Sequence, residues 1–125
     1  MNILRFIQSL QTDRDYRGQL VHVETLPERE AATQKTERPL SRAIRQALDS
    51  LGIDRLYVHQ ALAVDAVRRG ENVVVVTGTA SGKSLCYNIP VLESLLEDSE
   101  ATALYLFPTK ALAQDQLRGL LRLKE

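Results

Sequence analysis

The run Val73-Val74-Val75-Val76 constrains this chain more than any other feature. Four consecutive β-branched side chains crowd the turns of a helix but fit a pleated strand, and apolar groups on both faces call for cover on both sides. A buried parallel strand is therefore predicted over 72–76. Thr77 to Gly82 follow as a loop rich in small residues, and a helix is predicted from Lys83 to Leu96 with Pro90 inside it as a kink. A second buried strand is predicted over 102–107. Pro108 breaks it, and Thr109 can cap a further helix carrying Leu112, Gln116, Leu117, Leu120 and Leu121. Strand, helix, strand and helix in alternation predict an α/β fold with a parallel sheet.

Upstream, Ile3, Phe6, Ile7 and Leu10 recur at helical spacing, which predicts an amphipathic helix over 2–11 whose apolar stripe docks on another surface. Residues 12 to 39 are polar and carry Gly18, Pro27 and Pro39. They read as a connecting arm, with a short extended piece at 20–23 and a helical turn at 28–34. From Pro39 a helix is predicted, Pro39 in its first turn, Leu40, Ile44, Ala47, Leu48 and Leu51 on one face, and Gly52 as its stop. A second helix is predicted from Tyr57 to Arg69, ending at Gly70. The domain expectation is an arm over 1–38 and a nucleotide-binding region over 39–125.

Composition excludes several classes. Sixteen basic and sixteen acidic side chains cancel, so any polyanion site must be local. Six aromatics and no Trp leave little for a base-stacking platform. A single cysteine, Cys86, rules out a disulfide framework within the 125 residues and reads as a small buried hydrophobe. No signal-peptide pattern and no apolar run near the ~20 residues of a membrane span are present, so a cytoplasmic protein without membrane partners is expected.

The chemistry is concentrated in Gly78-Thr79-Ala80-Ser81-Gly82-Lys83-Ser84. A polyphosphate needs several backbone N–H groups pointing inward, hence a small and tightly curved loop, and it gains from the positive end of the following helix. A lysine must reach the β and γ phosphates, and a hydroxyl beside it must ligate Mg²⁺. Lys83 and Ser84 supply these in order, after Gly82. The eight-residue form of such a loop asks for glycine where Thr77 stands; here the glycine is at 78.

Thr77 to Ser84 resembles the phosphate loop of superfamily 2 helicases of the DEAD/DEAH-box type, although Ala80 replaces a common glycine and Ser84 a common threonine. The string looks like that of the mitomycin-repair-factor subgroup, related to the fungal RecQ-four-like helicases. Leu56-Tyr57-Val58-His59-Gln60 is similar to the family's adenine-recognition element. That resemblance puts Gln60 on adenine, with Tyr57 and Arg55 as neighbours; a glutamine amide matches the donor and acceptor of adenine's N6/N7 edge. His59 reads as a helix-surface or packing histidine. Phe107-Pro108-Thr109-Lys110-Ala111-Leu112 resembles the element that grips a nucleic-acid backbone. Thr109 and Lys110 at a helix N-terminus would hold a phosphate, the lysine as a point charge in place of an arginine fork. Residues 18–24 and 26–31 also look like the subgroup's leader.

The resemblance implies a RecA-like P-loop domain, with ATP and Mg²⁺ as cofactors and single-stranded or duplex DNA as partner of a 3′-to-5′ helicase. The sequence holds no Asp-Glu pair to bind Mg²⁺ and orient water. The last helix shows no stop signal. The expectation is therefore a helicase fragment, cut before its metal-binding acids, that binds ATP without hydrolysing it and needs the rest of the helicase chain. Two other readings stay open: another P-loop enzyme such as a small kinase, which would need an acceptor lid and an acidic base, and a nucleotide-binding or interaction module without chemistry.

Overall fold

A computed structural model describes residues 2–27, 30–78 and 81–123. The chain divides between Glu30 and Ala31 into two compact units. In the first, α1 spans Ile3–Gln11, and the Asn2 side chain caps it by accepting from the amides of Leu4 and Arg5 at 3.1 and 3.3 Å. The predicted apolar stripe is present but none of its residues is buried; Ile3, Phe6 and Leu10 are exposed. Leu20 to Val23 joins no strand.

The second unit begins differently from its predicted helical turn. Residues 31–32 are irregular, and Thr33–Gln34 forms β1, which pairs antiparallel with β2, Leu56–Tyr57 (Thr33 opposite Tyr57, Gln34 opposite Leu56). Glu28 and Arg29 lie outside the described residues. The Val58 amide adds a bond to Ala32 O at 3.1 Å. This short ladder has a positional consequence, because it anchors the residues that open the next helix.

Helix α2 spans Arg42–Ser50. Pro39 and Leu40 stand before it, not in its first turn, because Ser41 takes the cap and its hydroxyl accepts from the Ile44 amide at 3.3 Å. The helix closes as expected at Gly52: the Gly52 amide bonds Asp49 O at 2.9 Å and the Ile53 amide bonds Leu48 O at 2.9 Å, the paired closure of a Schellman end. Leu51 is consequently exposed, and Ile53 packs on the core in its place. Helix α3, Val58–Arg68, follows the predicted range and closes the same way at Gly70. Helix α4, Ser84–Glu97, runs through Pro90 without a break, and α5 spans Lys110–Arg122.

The core joins α2, α3 and α4 with the end of α5. Leu48, Val64 and Ile89 are fully buried, and Ile44, Leu56, Ala61, Leu85 and Leu123 complete the cluster. Each large aliphatic side chain buried in this way contributes roughly 1.5–3 kcal/mol. Polar anchoring sits beside it. Arg68 of α3 bonds Glu93 of α4 through Nε (2.9 Å) and its terminal nitrogen, Asp65 at 3.3 Å, and Arg38 O at 2.7 Å. Asp65 also accepts from the Glu37 amide at 2.9 Å. The bonds to Glu93, then the charges of Glu93 and Asp65, hold the Arg68 guanidinium further above its already high ordinary value than burial lowers it. A cation raised in this way loses its stabilising effect only in strong alkali, so the arginine adds no pH dependence near neutrality.

The described residues show no parallel sheet. Among the described residues β1 and β2 are the only paired strands, and both are short. Residues 72–76 and 102–107 carry no ladder, and Val74, Val76, Leu104 and Leu106 are all more than four-fifths exposed. The physical reason is that strand propensity reports fitness for a pleated, covered surface, whereas a strand exists only where a neighbour supplies ladder bonds. Period-two alternation survives: Val75, Tyr105 and Phe107 are half-buried while their neighbours point out. The Tyr105 hydroxyl donates to Asn88 Oδ1 of α4 at 3.2 Å, so one side of the second segment leans on that helix.

Candidate functional site

Two helix starts frame the loop between Val76 and Ser84. Tyr57 caps α3, and its amide donates to Gln60 Oε1 at 2.8 Å. The other end of the same amide, Gln60 Nε2, donates to Gly82 O at 2.9 Å. Gln60 is 2% exposed, so it is a buried tie between the start of α3 and the loop. His59, one residue earlier, places Nε2 at 2.9 Å from Ser81 O, and its ring stacks on Tyr57 with centroids 5.8 Å apart.

The loop is tied internally as well. Lys83 Nζ donates to Thr77 O at 3.1 Å, Thr77 Oγ1 at 3.2 Å and Ser81 Oγ at 3.2 Å, and also to Gly78 O. Thr77 Oγ1 and Ser81 Oγ are 2.6 Å apart. A cation thus sits among the oxygens of its own loop. A phosphate would present charged oxygens to the same ammonium, and an ion-to-ion contact adds a Coulomb attraction that neutral carbonyls do not offer. Gly82 has φ of +72°, a conformation that side chains rarely adopt, and it turns the chain into α4.

Ser84 opens α4. Its hydroxyl donates to Gln116 Oε1 of α5 at 2.8 Å, and the Tyr87 hydroxyl donates to the same oxygen at 2.7 Å. A serine whose proton is committed to Gln116 keeps oxygen lone pairs free, which suits a metal ligand. Among the described residues no group of three or more His, Cys, Asp or Glu side chains gathers to hold a metal. Cys86 is buried and its thiol is pushed up by that burial. Its alkylation at pH 8 is expected to be slow in the native chain and complete in urea, as read by mass spectrometry; equal rates in both would refute the burial.

The sequence-predicted residues fall into three places. Tyr57, Gln60, Gly78, Ser81, Gly82 and Lys83 come together, joined by Thr77 and His59, and Ser84 follows at the start of α4. Arg55 lines a separate cleft of about 730 Å³ with Thr33, Lys35 and Leu40. Thr79 and Ala80 fall outside the described residues. Thr109 caps α5, its hydroxyl accepting from the Leu112 amide at 3.2 Å, and Lys110 is exposed at that helix start. Sequence reasoning missed the roles of His59 and Gln116. Position in a helix was the only signal for either, and the contact of each crosses more than 20 residues of chain.

Comparison with known proteins gives a consistent picture. The family model of the DEAD/DEAH box helicases matches residues 57–125. The ATP-dependent helicase YprA of Bacillus subtilis is 56% identical over 88 residues, covering 70% of this chain and 12% of that protein. The ATP-dependent helicase hrq1 of Schizosaccharomyces pombe is 43% identical over 123 residues, covering 96% of this chain and 12% of that protein. The crystal structure of the DUF1998 helicase MrfA bound to DNA superposes with a TM-score of 0.75 at 43% identity, over 98% of this chain and 17% of that one. MrfA bound to DNA and AMPPNP gives 0.73 at 42% identity, with the same coverage. The chain therefore spans 12% of the length of these two curated relatives. The match and these neighbours imply a RecA-like fold; the described residues show its helices and two short strands. No helix among them is long and apolar enough to cross a membrane.

Proposed function

The chain belongs to the DEAD/DEAH box helicases, in the group that holds MrfA and Hrq1, and from that premise we propose that it is the ATP-binding and nucleic-acid-binding part of an ATP-dependent DNA helicase. Residues 1–38 serve as an arm and 39–125 as the first part of the ATP-binding domain. The observation that carries this reading is the loop itself: the Lys83 ammonium is gathered among Thr77, Gly78 and Ser81, directly before α4, with Gln60 tied to Gly82. A cation, a helix N-terminus and a tightly turned backbone are what a polyphosphate requires.

In this reading Lys83 leaves its carbonyl partners for the β and γ phosphates, while the Gly78–Gly82 backbone, with Thr79 and Ala80, lines the cradle. Ser84 would hold Mg²⁺ through its oxygen, its proton being donated to Gln116. Gln60, near Tyr57 and with Arg55 further off, reads the adenine edge with the second hydrogen of Nε2 and the second lone pair of Oε1, the first of each being held by Gly82 O and the Tyr57 amide. Thr109 and Lys110 hold a phosphate of DNA. When bound, ATP with Mg²⁺ would supply, through hydrolysis in the whole helicase, the free energy of unwinding. The 125 residues contain no Asp-Glu pair, so they bind nucleotide and do not turn it over alone. The kinase reading gains no support from the comparisons.

The test is a titration of the chain with a fluorescent ATP analogue, with and without single-stranded DNA. Lys83→Ala is expected to weaken binding by roughly 10- to 100-fold, the worth of charged hydrogen bonds lost. Unchanged affinity would sink the assignment. ATP turnover abolished by Lys83→Ala would overturn the inactivity of the chain alone, and phosphate transfer to a small acceptor would restore the kinase reading.

A further inference from the structure

We propose that His59 is a positioning residue for nucleotide binding: together with Gln60 it grips two successive carbonyls of the loop, Ser81 and Gly82, and thereby aims the amides of Gly82 and Lys83 at the phosphates. The proposal rests on the reading of this loop as a nucleotide site.

The chemistry of the contact fixes its direction. A backbone carbonyl only accepts, so at 2.9 Å from Ser81 O the His59 Nε2 carries the proton and donates. Gln60 Nε2 donates to the next carbonyl, Gly82 O, at 2.9 Å. In a planar trans peptide the N–H of the following residue points opposite to the carbonyl. Holding the carbonyls of Ser81 and Gly82 toward α3 therefore turns the N–H groups of Gly82 and Lys83 away from it. Gly82 is left-handed (φ +72°) and Lys83 right-handed (φ −52°, ψ −28°). A left-handed residue beside a right-handed one makes successive N–H groups converge into an anion-binding nest.

The grip is itself supported. β1 pairs with β2 and fixes Tyr57 opposite Thr33, and the Tyr57 ring stacks on the His59 ring at an interplanar angle of 13°. Gln60 spends its oxygen on the Tyr57 amide, which orients its nitrogen toward Gly82. Two adjacent residues of one helix thus hold two adjacent carbonyls of one loop, and neither needs to touch a phosphate to set the cradle.

The experiment uses the 125-residue chain, titrated with ADP and with adenosine. His59→Ala is expected to weaken ADP by about three- to tenfold, the loss of one half-buried hydrogen bond, and to leave adenosine unchanged. His59→Gln, which carries an N–H at similar reach, is expected to recover most of that loss. Nitrogen NMR of the wild-type ring is expected to show the Nε2–H tautomer, a readout that needs no variant to fold. An Nδ1–H tautomer, equal losses for ADP and adenosine, or ADP affinity unchanged in His59→Ala would each overturn the proposal while leaving the nucleotide site intact. A wild-type chain that binds no ADP overturns the nucleotide reading and this proposal with it.

Discussion

Gly82→Ala is expected to destabilise the second unit by about 3 kcal/mol and to remove most nucleotide binding. Two costs add. An L-residue at φ +72° bears the left-handed penalty of about 1–2 kcal/mol. The new Cβ would also lie 2.5 Å from Gln60 Nε2. A free glutamine would swing aside at little cost, but Gln60 is buried and bonded through both ends of its amide. Moving it breaks the bond to Gly82 O, worth about 1 kcal/mol, and tilts the loop amides away from a bound phosphate. Gly78→Ala is the control, since a Cβ there meets nothing within 4 Å and φ is not left-handed. Urea denaturation of both variants, followed by nucleotide titration, decides the matter. Equal stability of the two variants would show that Gln60 does not hold the loop.

Arg68→Ala is the second large effect, at about 3–5 kcal/mol, or a fall of roughly 12–20 °C in Tm. Arg68 is 10% exposed and joins three parts of the unit: Asp65 on its own helix, Glu93 on α4, and the carbonyl of Arg38. Its removal leaves two largely buried carboxylates without a cation, and that uncompensated charge costs more than the ion pair contributes. Arg68→Lys is expected to recover only part of the loss. A lysine is a point charge and cannot serve Glu93, Asp65 and Arg38 O through one planar fork. Thermal melting at two salt concentrations checks this: screening by salt should change the deficit little, because the pair is buried. A deficit below 1 kcal/mol would mean that the pair behaves like a surface ion pair.

The two effects act at opposite ends of α3, and this helix organises the unit. Its start holds the loop through His59 and Gln60; its end holds α4 and the 37–38 segment through Arg68 and Asp65. Helix α5 enters from the other side. Gln116 takes both the Ser84 and the Tyr87 hydroxyl, and the same helix begins at Thr109 and Lys110. The residue expected on the metal and those expected on DNA are thereby linked through a single helix.

How much of this was legible in the chain depends on the range of the interaction. Helix ends were readable because caps are local: Gly52 and Gly70 close α2 and α3 through bonds spanning three to five residues. The start of α2 was misplaced because Pro39 and Ser41 both suit a helix N-terminus, and only the hydroxyl at 41 supplies a bond to a free amide. The phosphate loop was readable because its composition encodes its curvature. Gln60 was singled out only through a family resemblance, since a glutamine on a helix carries no mark of burial.

The sequence by itself determined the helices, the loop's small residues and the order of lysine and hydroxyl, all set by interactions within a few residues. Tertiary structure alone decided which side chains face that loop: His59, Gln60 and Gln116 reach it across 22 to 32 residues. It also decided the fate of the valine run. β-Branched residues state a preference for a strand, but ladder bonds come from a neighbour, and within the described residues 72–76 have none. The feature that most constrained the fold therefore marks where a sheet belongs, while pairing remains a property of whatever chain lies beside it.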